Sequence, residues 1–450
     1  MRPFYARELT QYPTGARRMR YLLMAVMASL IVNFEGQISP VVPLLLDDLG
    51  MSLKTYGLIV AVAVVVGGIT AAIGGGLADR HGRVLLLMPA LVLAALCTYA
   101  TVLVQTPTQF LVVRCLLLFV EGAAVTTTAG LVRDFSPRLG RATAFGFWTW
   151  GPIGANFLAA GIAGVTLPIF GTWQSQVVIM GTVALVFCIV ITFFIADLSP
   201  HLRARVITSE SDMVAADGDG AVDLRAARGL MAHRVFWAHL AGITLWLVWY
   251  WTMQIFGPTL LVQTFGLTAS RAASVMAVTW AITLLTLIVA GRLSDRLQAR
   301  KPVILVGAIG GIVGMVLFVT LADSGRASVA QLIGVNALLG VAIAATYAPW
   351  MALFSEDVED LRPDLQATAW GAFGLSVRLM IVVVLIGSPV VAAGGAGWSR
   401  WLLIATLCNV LFLPALYLFG GGWRRVSPAA AKPAGRAARG GGTAGSRAGL

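Results

Sequence analysis

The sequence predicts an all-α polytopic membrane protein with twelve transmembrane helices in two pseudo-symmetric six-helix bundles. Three observations support this prediction: the composition, the spacing of the apolar stretches and an internal repeat. Of the 450 residues, 58% are hydrophobic and only 12% are charged, whereas soluble domains have about 25% charged residues. The composition therefore excludes an ordinary soluble protein.

Apolar stretches of about 20 residues, enough for a helix to cross a bilayer core about 30 Å thick, recur along the chain. Backbone groups inside a bilayer need partners within the protein, and the alternation typical of a barrel is missing, so each stretch is predicted to be helical. The first stretch is too long for a signal-peptide core, and we expect it to be retained. Predicted spans 1 to 12 cover residues 21–45, 56–78, 84–104, 110–132, 142–166, 175–196, 235–262, 272–291, 302–322, 329–354, 367–391 and 398–419.

The basic residues are divided unequally between the two sides of the predicted bundle. The side that carries both termini has 26 Lys and Arg residues, and the other side has 4. Since loops rich in Lys and Arg stay in the cytoplasm, both termini are predicted to be cytoplasmic, in a bacterial inner membrane. The net charge of +12 does not indicate nucleic-acid binding, because the basic residues lie in short runs between apolar stretches.

An internal repeat relates the two halves of the chain. Three residues around the end of span 2 recur around the end of span 8 at one constant offset: Gly75, Asp79 and Arg80 match Gly291, Asp295 and Arg296. Parallel six-span repeats are typical of transporters whose halves rock about a central site. The predicted domains are a cytoplasmic N-terminal segment (1–20), two six-helix bundles (21–196 and 235–419), a cytoplasmic central loop (197–234) and a disordered basic tail (420–450).

The loop between spans 2 and 3 reads Gly75-Gly76-Leu77-Ala78-Asp79-Arg80-His81-Gly82-Arg83. It resembles the signature loop of the major facilitator superfamily. Span 5 contains Gly151-Pro152, similar to the Gly-Pro motif of that family, and Arg114 matches the family's arginine in span 4. The resemblance covers residues 20 to 420. It implies the twelve-helix fold of this family, transport by alternating access, and no enzymatic activity.

The repeated loop is expected to control the exchange between conformations. An aspartate such as Asp79 or Asp295 is able to hold the positive end of a neighbouring helix. The resemblance implies that Arg80 and Arg83, spaced by Gly82, belong to a charged network that closes the cytoplasmic side, and that Gly291, Asp295 and Arg296 repeat this arrangement. The alternative is that these charges only orient the chain in the membrane.

Four charged residues lie well inside the predicted spans, away from the span ends: Glu35, Arg114, Glu121 and Arg378. Each would cost roughly 2.5–3.5 kcal/mol at a helix centre, so partners or a wet cavity are expected. At about 1.5 Å per residue, Glu35 and Arg114 lie at similar depth, and Glu121 lies about 10 Å deeper on nearly the same face as Arg114. Glu35 and Glu121 are therefore candidates for proton coupling, and Arg114 and Arg378 for binding an anion. Fixed structural pairing is the alternative.

Further candidates for substrate contact lie on other predicted cavity-lining spans. On span 7 these are Trp249, Trp251 and Gln254, which lie too deep to be interfacial anchors. Asn156, Asn336 and Tyr347 are further polar candidates. Core packing is the alternative for each of these residues. The four cysteines lie in apolar segments, where thiols usually act as small hydrophobes, and no metal or cofactor is expected.

The leading hypothesis is a secondary active transporter that moves a small organic anion, coupled to protons. Glu35-Gly36 resembles the span 1 signature of aromatic-acid:proton symporters within the superfamily, although Ile38 replaces the second acidic residue. The expected partners are an anionic small molecule, protons and the lipid bilayer, with the monomer as the functional unit. Proton-antiport efflux of drugs or metabolites is the alternative within the same class. A membrane-embedded enzyme or a non-transporting receptor represents a different class.

Overall fold

The computed structural model describes residues 5, 7–35, 37–135, 148–199, 201–202, 229–297, 299–325, 327–361, 365–394 and 397–423. Twelve helices among them are long and apolar enough to cross a membrane, which confirms the predicted number of spans. Span 1 begins at Gly15 and ends at Asp48. The helices of spans 2 to 12 are Leu53–His81, Arg83–Thr101, Pro107–Phe135, Trp150–Phe170, Trp173–Phe194, Arg234–Phe265, Ala269–Leu297, Lys301–Ser324, Val329–Leu361, Gln366–Ala392 and Gly397–Leu418.

Span 1 is interrupted, and the prediction of one continuous helix was wrong. Its first helix ends at Glu35, a 3-10 turn covers Ser39–Val41, and a short helix covers Val42–Asp48. Pro40 and Pro43 lie in the first turn of the two later pieces. Proline lacks a backbone N–H and clashes with the carbonyl four residues earlier, so two prolines three residues apart favour a break in the helix here. Helices are interrupted at membrane depth where the backbone lines a cavity.

Small residues let the helices of each half approach closely. A side chain at Gly67 or Gly122 would collide with the facing backbone, and Gly74 lies directly against Ala123. These residues bring the part of span 2 from Gly67 to Gly74 against span 4. Gly307 plays the same part in the second half, where it brings span 9 against span 10. Such small-residue contacts are the usual means of helix packing in membranes, where lipid removes the hydrophobic driving force.

The two halves touch on the side of the bundle opposite the termini. We call the side that carries both termini the terminal side, because a chain with twelve crossings begins and ends on the same side. Near the opposite side, a Cβ on Gly57 of span 2 would overlap the carbonyl of Leu385 in span 11. Ser270 of span 8 donates a hydrogen bond to the carbonyl of Gly164 in span 5, at 2.8 Å. The two halves are therefore in direct contact on the opposite side.

Candidate functional site

Gly82 forms the turn between spans 2 and 3 on the terminal side. Its φ of 110° and ψ of 138° lie in a region that only glycine occupies readily. The turn places Arg83 at the start of span 3, where its guanidinium is ion-paired with Asp134 of span 4. The backbone N–H of Arg83 donates to Asp197 Oδ2 at 2.7 Å. The loop thus joins the ends of spans 2, 3, 4 and 6.

The second copy of the motif is built around Arg300 rather than Arg296. Arg300 is ion-paired with Asp295 and, at 2.9 Å, with Glu356 of span 10, whereas Arg296 is exposed. Burial alone would lower the pKa of Arg300, but the hydrogen bonds and charges of Glu356 and Asp295 outweigh it and raise this pKa. The basic pair Arg300-Lys301 comes later in the sequence than in the first copy, and Arg300 was not among the predicted site residues.

The other motif residues are located less fully by the structure. Gly75 and Asp79 lie in the helix of span 2, but their side-chain surroundings lie outside the described part of the chain. Arg80 is exposed, and nothing would contact a Cβ at Gly291. Gly151, followed by Pro152, packs directly against Ser29 of span 1. Gating by the Gly75–Arg83 motif remains a prediction, whereas close packing of spans 1 and 5 at Gly151 is observed.

Arg114 and Glu121 of span 4 are both buried, at 8% and 9% exposure. Arg114 interacts electrostatically with Glu121 and with Tyr56 of span 2. Glu121 Oε1 has no hydrogen-bond partner among the described residues. Tyr56 in turn contacts Phe256 of span 7 edge to face, with ring centroids 6.1 Å apart. The charged pair therefore lies beside a contact between the two halves, and sequence reasoning did not include Tyr56.

Arg378 of span 11 lies at the boundary between the halves. A Cβ on Gly68 of span 2 would be 3.4 Å from its Cδ and 3.7 Å from its Nε. Arg378 is exposed, and it forms no ion pair with a described carboxylate. Glu35 is the last residue of the first helix of span 1, and its side chain lies outside the described part. The predicted meeting of Glu35 with Arg114 stays a prediction.

Asn156 and Gln254 border one small cavity between the halves. Gln37 and Pro40 of the interrupted span 1 also line it, together with Trp280 of span 8. The enclosed space is about that of one water molecule. Asn156 is 4% exposed and Gln254 7%, and neither Asn156 Nδ2 nor Gln254 Oε1 has a hydrogen-bond partner in the described structure. A buried donor and a buried acceptor thus face the same space from opposite halves.

The remaining candidates pack mainly against other side chains. Trp249 is fully buried and contacts Trp246 edge to face at 5.9 Å, so the core-packing alternative fits it. Trp251 is half-buried beside Tyr250. Asn336 is fully buried and already bonded, since its amide donates to the carbonyl of Leu332 at 2.9 Å. Tyr347 is half-buried and stacks on Trp350 with ring centroids 5.8 Å apart.

Sequence reasoning also missed a buried polar group at the terminal side of the second half. It comprises His239 of span 7, Asp357 of span 10 and Lys301 of span 9. The available signal was the position of His239 inside an apolar stretch, five residues after the start of span 7. No group of His, Cys, Asp or Glu within the described residues has the arrangement to hold a metal ion.

Known proteins resemble this chain in both sequence and fold. The sequence pattern of the Major Facilitator Superfamily matches residues 21–385. The 4-hydroxybenzoate transporter PcaK of Pseudomonas aeruginosa is 28% identical over 175 residues, which cover 38% of each chain. The gallate transporter of Pseudomonas putida is 25% identical over 315 residues, covering 64% of this chain and 69% of that protein. The match to PcaK thus spans well under half of that relative's length.

Two solved structures extend the likeness over nearly the whole chain. A bacterial homolog of the human lysosomal transporter Spinster, inward-facing and unoccupied, has a TM-score of 0.66 at 14% identity, covering 90% of this chain and 98% of that one. The D-xylose-proton symporter has a TM-score of 0.64 at 19% identity, covering 92% and 99%. The fold and the sequence pattern agree, and the chain belongs to the major facilitator superfamily of transporters.

Proposed function

We propose that this transporter moves a small organic anion, an aromatic carboxylate, across the bacterial cytoplasmic membrane together with protons. The observation that carries the proposal is the buried pair of Arg114 and Glu121 on one span. A guanidinium is the side chain best suited to hold a carboxylate through two parallel hydrogen bonds. The substrate class draws further support from the relatives, which are named for 4-hydroxybenzoate and gallate transport.

Coupling follows from competition for one positive charge. Burial of Glu121 opposes its ionised form, and the positive charge of Arg114 on the same span favours that form. A substrate carboxylate that takes Arg114 leaves Glu121 without its counter-charge, and the buried carboxylate then binds a proton to avoid the cost of an isolated charge. The loaded site carries one anion, one arginine and one neutral acid. Glu35, at the break in span 1, is the second candidate for the proton.

The small polar cavity supplies room for one hydroxyl group of the substrate. The Asn156 amide offers a donor and the Gln254 amide an acceptor, from opposite halves. A phenolic hydroxyl is able to satisfy both, because a hydroxyl donates one hydrogen bond and accepts others. Since the described halves touch on the opposite side, we infer that this conformation opens toward the terminal side. The count of 26 basic residues assigns that side to the cytoplasm.

The test is uptake by the purified protein in proteoliposomes. The substrates are 4-hydroxybenzoate, gallate and, as a neutral control, xylose, each with and without a pH gradient that is acid outside. We expect carboxylate accumulation that depends on the gradient, and its loss in Arg114→Ala. Arg400→Ala, at an exposed arginine on the opposite side, should retain it. Accumulation only under the reversed gradient would indicate antiport, and uptake of xylose alone would contradict the proposal.

A further inference from the structure

A second group of buried polar side chains lies in the C-terminal half, apart from Arg114 and Glu121. His239 of span 7 is 1% exposed and Asp357 of span 10 is 5% exposed. His239 Nε2 lies 2.6 Å from Asp357 Oδ2. On the other edge of the imidazole, the indole Nε1–H of Trp350 donates to His239 Nδ1 at 3.1 Å. Both ring nitrogens therefore have a partner from span 10.

These two contacts assign the protonation state of His239. An indole N–H only donates a hydrogen bond, so Nδ1 must accept with its lone pair. The single proton of a neutral imidazole then resides on Nε2, which donates it to the Asp357 carboxylate. In this arrangement His239 is the neutral Nε2–H tautomer, and Nδ1 is the ring atom that is still able to bind a proton.

The charges around His239 favour Nδ1 over Asp357 as the place for an added proton. Asp357 Oδ2 already accepts a second hydrogen bond, from the Gly420 N–H at 2.8 Å. Besides Asp357, Lys301 is the charged group near His239 in the described structure. Its Nζ donates to the Phe419 carbonyl at 2.6 Å. The Phe419 ring stacks on the imidazole at 3.9 Å. A carboxylate that accepts two N–H groups beside an ammonium is stabilised as the ion.

A proton on Nδ1 is incompatible with the contact to Trp350. The added proton bonds to the Nδ1 lone pair that accepts the hydrogen bond from the Trp350 indole. The Nδ1–H and the indole N–H are then two donors that face each other. No covalent bond breaks; the hydrogen bond from Trp350 is lost, and the imidazolium becomes an ion pair with Asp357. The Trp350 ring lies 5.1 Å from Phe373 and 6.4 Å from Trp370 of span 11, so its displacement alters the packing of spans 10 and 11.

We propose that His239 Nδ1 is a proton-binding site of the C-terminal half, and that a proton bound there releases the Trp350 indole and loosens its packing against span 11. This site is separate from the proposed coupling pair on span 4. Trp350 also stacks on Tyr347, a candidate cavity residue. A proton on His239 should therefore change the packing of Tyr347 as well as the packing at the terminal side.

Nuclear magnetic resonance of the full chain in lipid nanodiscs tests the proposal without a transport measurement. The sequence contains only four histidines. Replacing the three exposed ones, His81, His201 and His233, together with glutamine leaves the ¹⁵N-histidine signals of His239 alone, with its site intact. We expect the Nε2–H pattern near neutral pH. On acidification both nitrogens should become protonated, and the indole signal of Trp350, assigned through Trp350→Phe, should shift over the same pH range.

Two variants separate this effect from a general response to acid. In the background that lacks the other three histidines, His239→Gln should remove the pH-dependent shift of the Trp350 indole signal, whereas restoring His233 to that background should leave the shift unchanged. An Nδ1–H pattern at neutral pH, or a Trp350 signal that does not move while His239 becomes protonated, overturns the proposal. So does a shift that persists in His239→Gln. If His239→Gln does not fold, the measurements on the intact site decide the question.

Discussion

The guanidinium of Arg83 is ion-paired with the carboxylate of Asp134, and each side chain is only 5% exposed. In the second half, the pair of Arg300 and Glu356 also joins the start of span 9 to span 10, but its members are 21% and 51% exposed. The two halves thus use the same kind of contact at very different depths. Because burial determines how much the loss of one partner of an ion pair lowers stability, equivalent substitutions in the two halves should change the free energy of unfolding by different amounts.

We expect Asp134→Asn to lower the free energy of unfolding by on the order of 3 kcal/mol, because it removes a negative charge that is ion-paired with the buried guanidinium of Arg83. Glu356→Gln should cost less than about 1 kcal/mol, because water screens the exposed pair. Unfolding in mild detergent, followed by tryptophan fluorescence, measures both. Equal losses in the two variants would contradict the role assigned to burial.

Gly82 offers a second test of local structure. Gly82→Ala places a side chain on a residue with φ of 110°, and such strain costs on the order of 1–3 kcal/mol. Gly334→Ala is the matched control, because nothing lies within 4 Å of a Cβ there and alanine is the better helix former. We expect a lower folded yield and melting temperature for the first variant and no loss for the second. A Gly82→Ala protein as stable as the wild type would contradict the positive φ assigned to residue 82.

Much of the fold follows from the sequence because its signals are local. Each apolar stretch is long enough to cross the bilayer by itself, and the seven-residue spacing of Arg114 and Glu121 places both on nearly one face of a helix. The break in span 1 also has a local signal in the sequence, because Pro40 and Pro43 lie where the later helical pieces begin. It was overlooked because the apolar character continues through the interruption, and hydropathy alone does not distinguish one helix from two.

The contacts that define the sites depend on distant residues and could not be predicted. His239 and Asp357 are 118 positions apart in the chain, and only the packing of spans 7 and 10 brings them together. Trp249 has the residue type and the depth of a cavity residue, yet its rotation about the axis of span 7 turns it into the core. A helix rich in apolar residues on every side carries no periodic signal for that rotation.

Closure of the opposite side depends on Gly57. A methyl group there would overlap the Leu385 carbonyl, so Gly57→Ala should hold spans 2 and 11 apart and shift the population away from the closed state. Spin labels on Lys54→Cys and Gln331→Cys, both exposed, report the separation of the halves when the native cysteines are replaced. We expect a longer distance in Gly57→Ala. An unchanged distance distribution would show that this contact does not limit closure.

The cavity amides differ from the bonded amide of Asn336 in a way that stability measurements detect. Asn156→Leu removes a buried donor that has no partner in the described structure, so it should not lower stability, because an unpaired buried group is itself unfavourable. If Asn156 holds the substrate, the apparent affinity should fall about tenfold, equivalent to about 1.4 kcal/mol. Gln254→Leu should behave in the same way.

Asn336→Leu is the control with the opposite pattern. It breaks the hydrogen bond to the Leu332 carbonyl and should cost about 1 kcal/mol of stability while leaving the substrate affinity unchanged. Thermal unfolding and substrate-binding titrations of the three variants supply the comparison. Asn156→Leu and Gln254→Leu variants that bind normally would exclude this cavity as part of the substrate site.

The last prediction concerns which carboxylate carries the proton. Glu121→Gln keeps the shape of the side chain but is permanently neutral, like a protonated glutamate that cannot release its proton. Such a carrier should exchange labelled for unlabelled substrate across the membrane yet fail to accumulate it against a gradient. Arg114→Lys keeps the charge but loses the planar pair of donors, so substrate affinity should fall sharply. Counterflow and proton-driven uptake, measured on the same proteoliposomes, separate the two effects.

Glu35→Gln decides between the two candidates. If Glu121 is the carrier, Glu35→Gln should still accumulate substrate under an acid-outside gradient. If Glu35 is the carrier, Glu35→Gln should fail to accumulate substrate and Glu121→Gln should accumulate it. A purely structural pair predicts a third result, because neutralising Glu121 would remove a negative charge that stabilises the buried Arg114 and would reduce the amount of folded protein. Folded yield by size-exclusion chromatography detects that result. Normal folding together with undiminished accumulation in Glu121→Gln would remove Glu121 from the coupling mechanism.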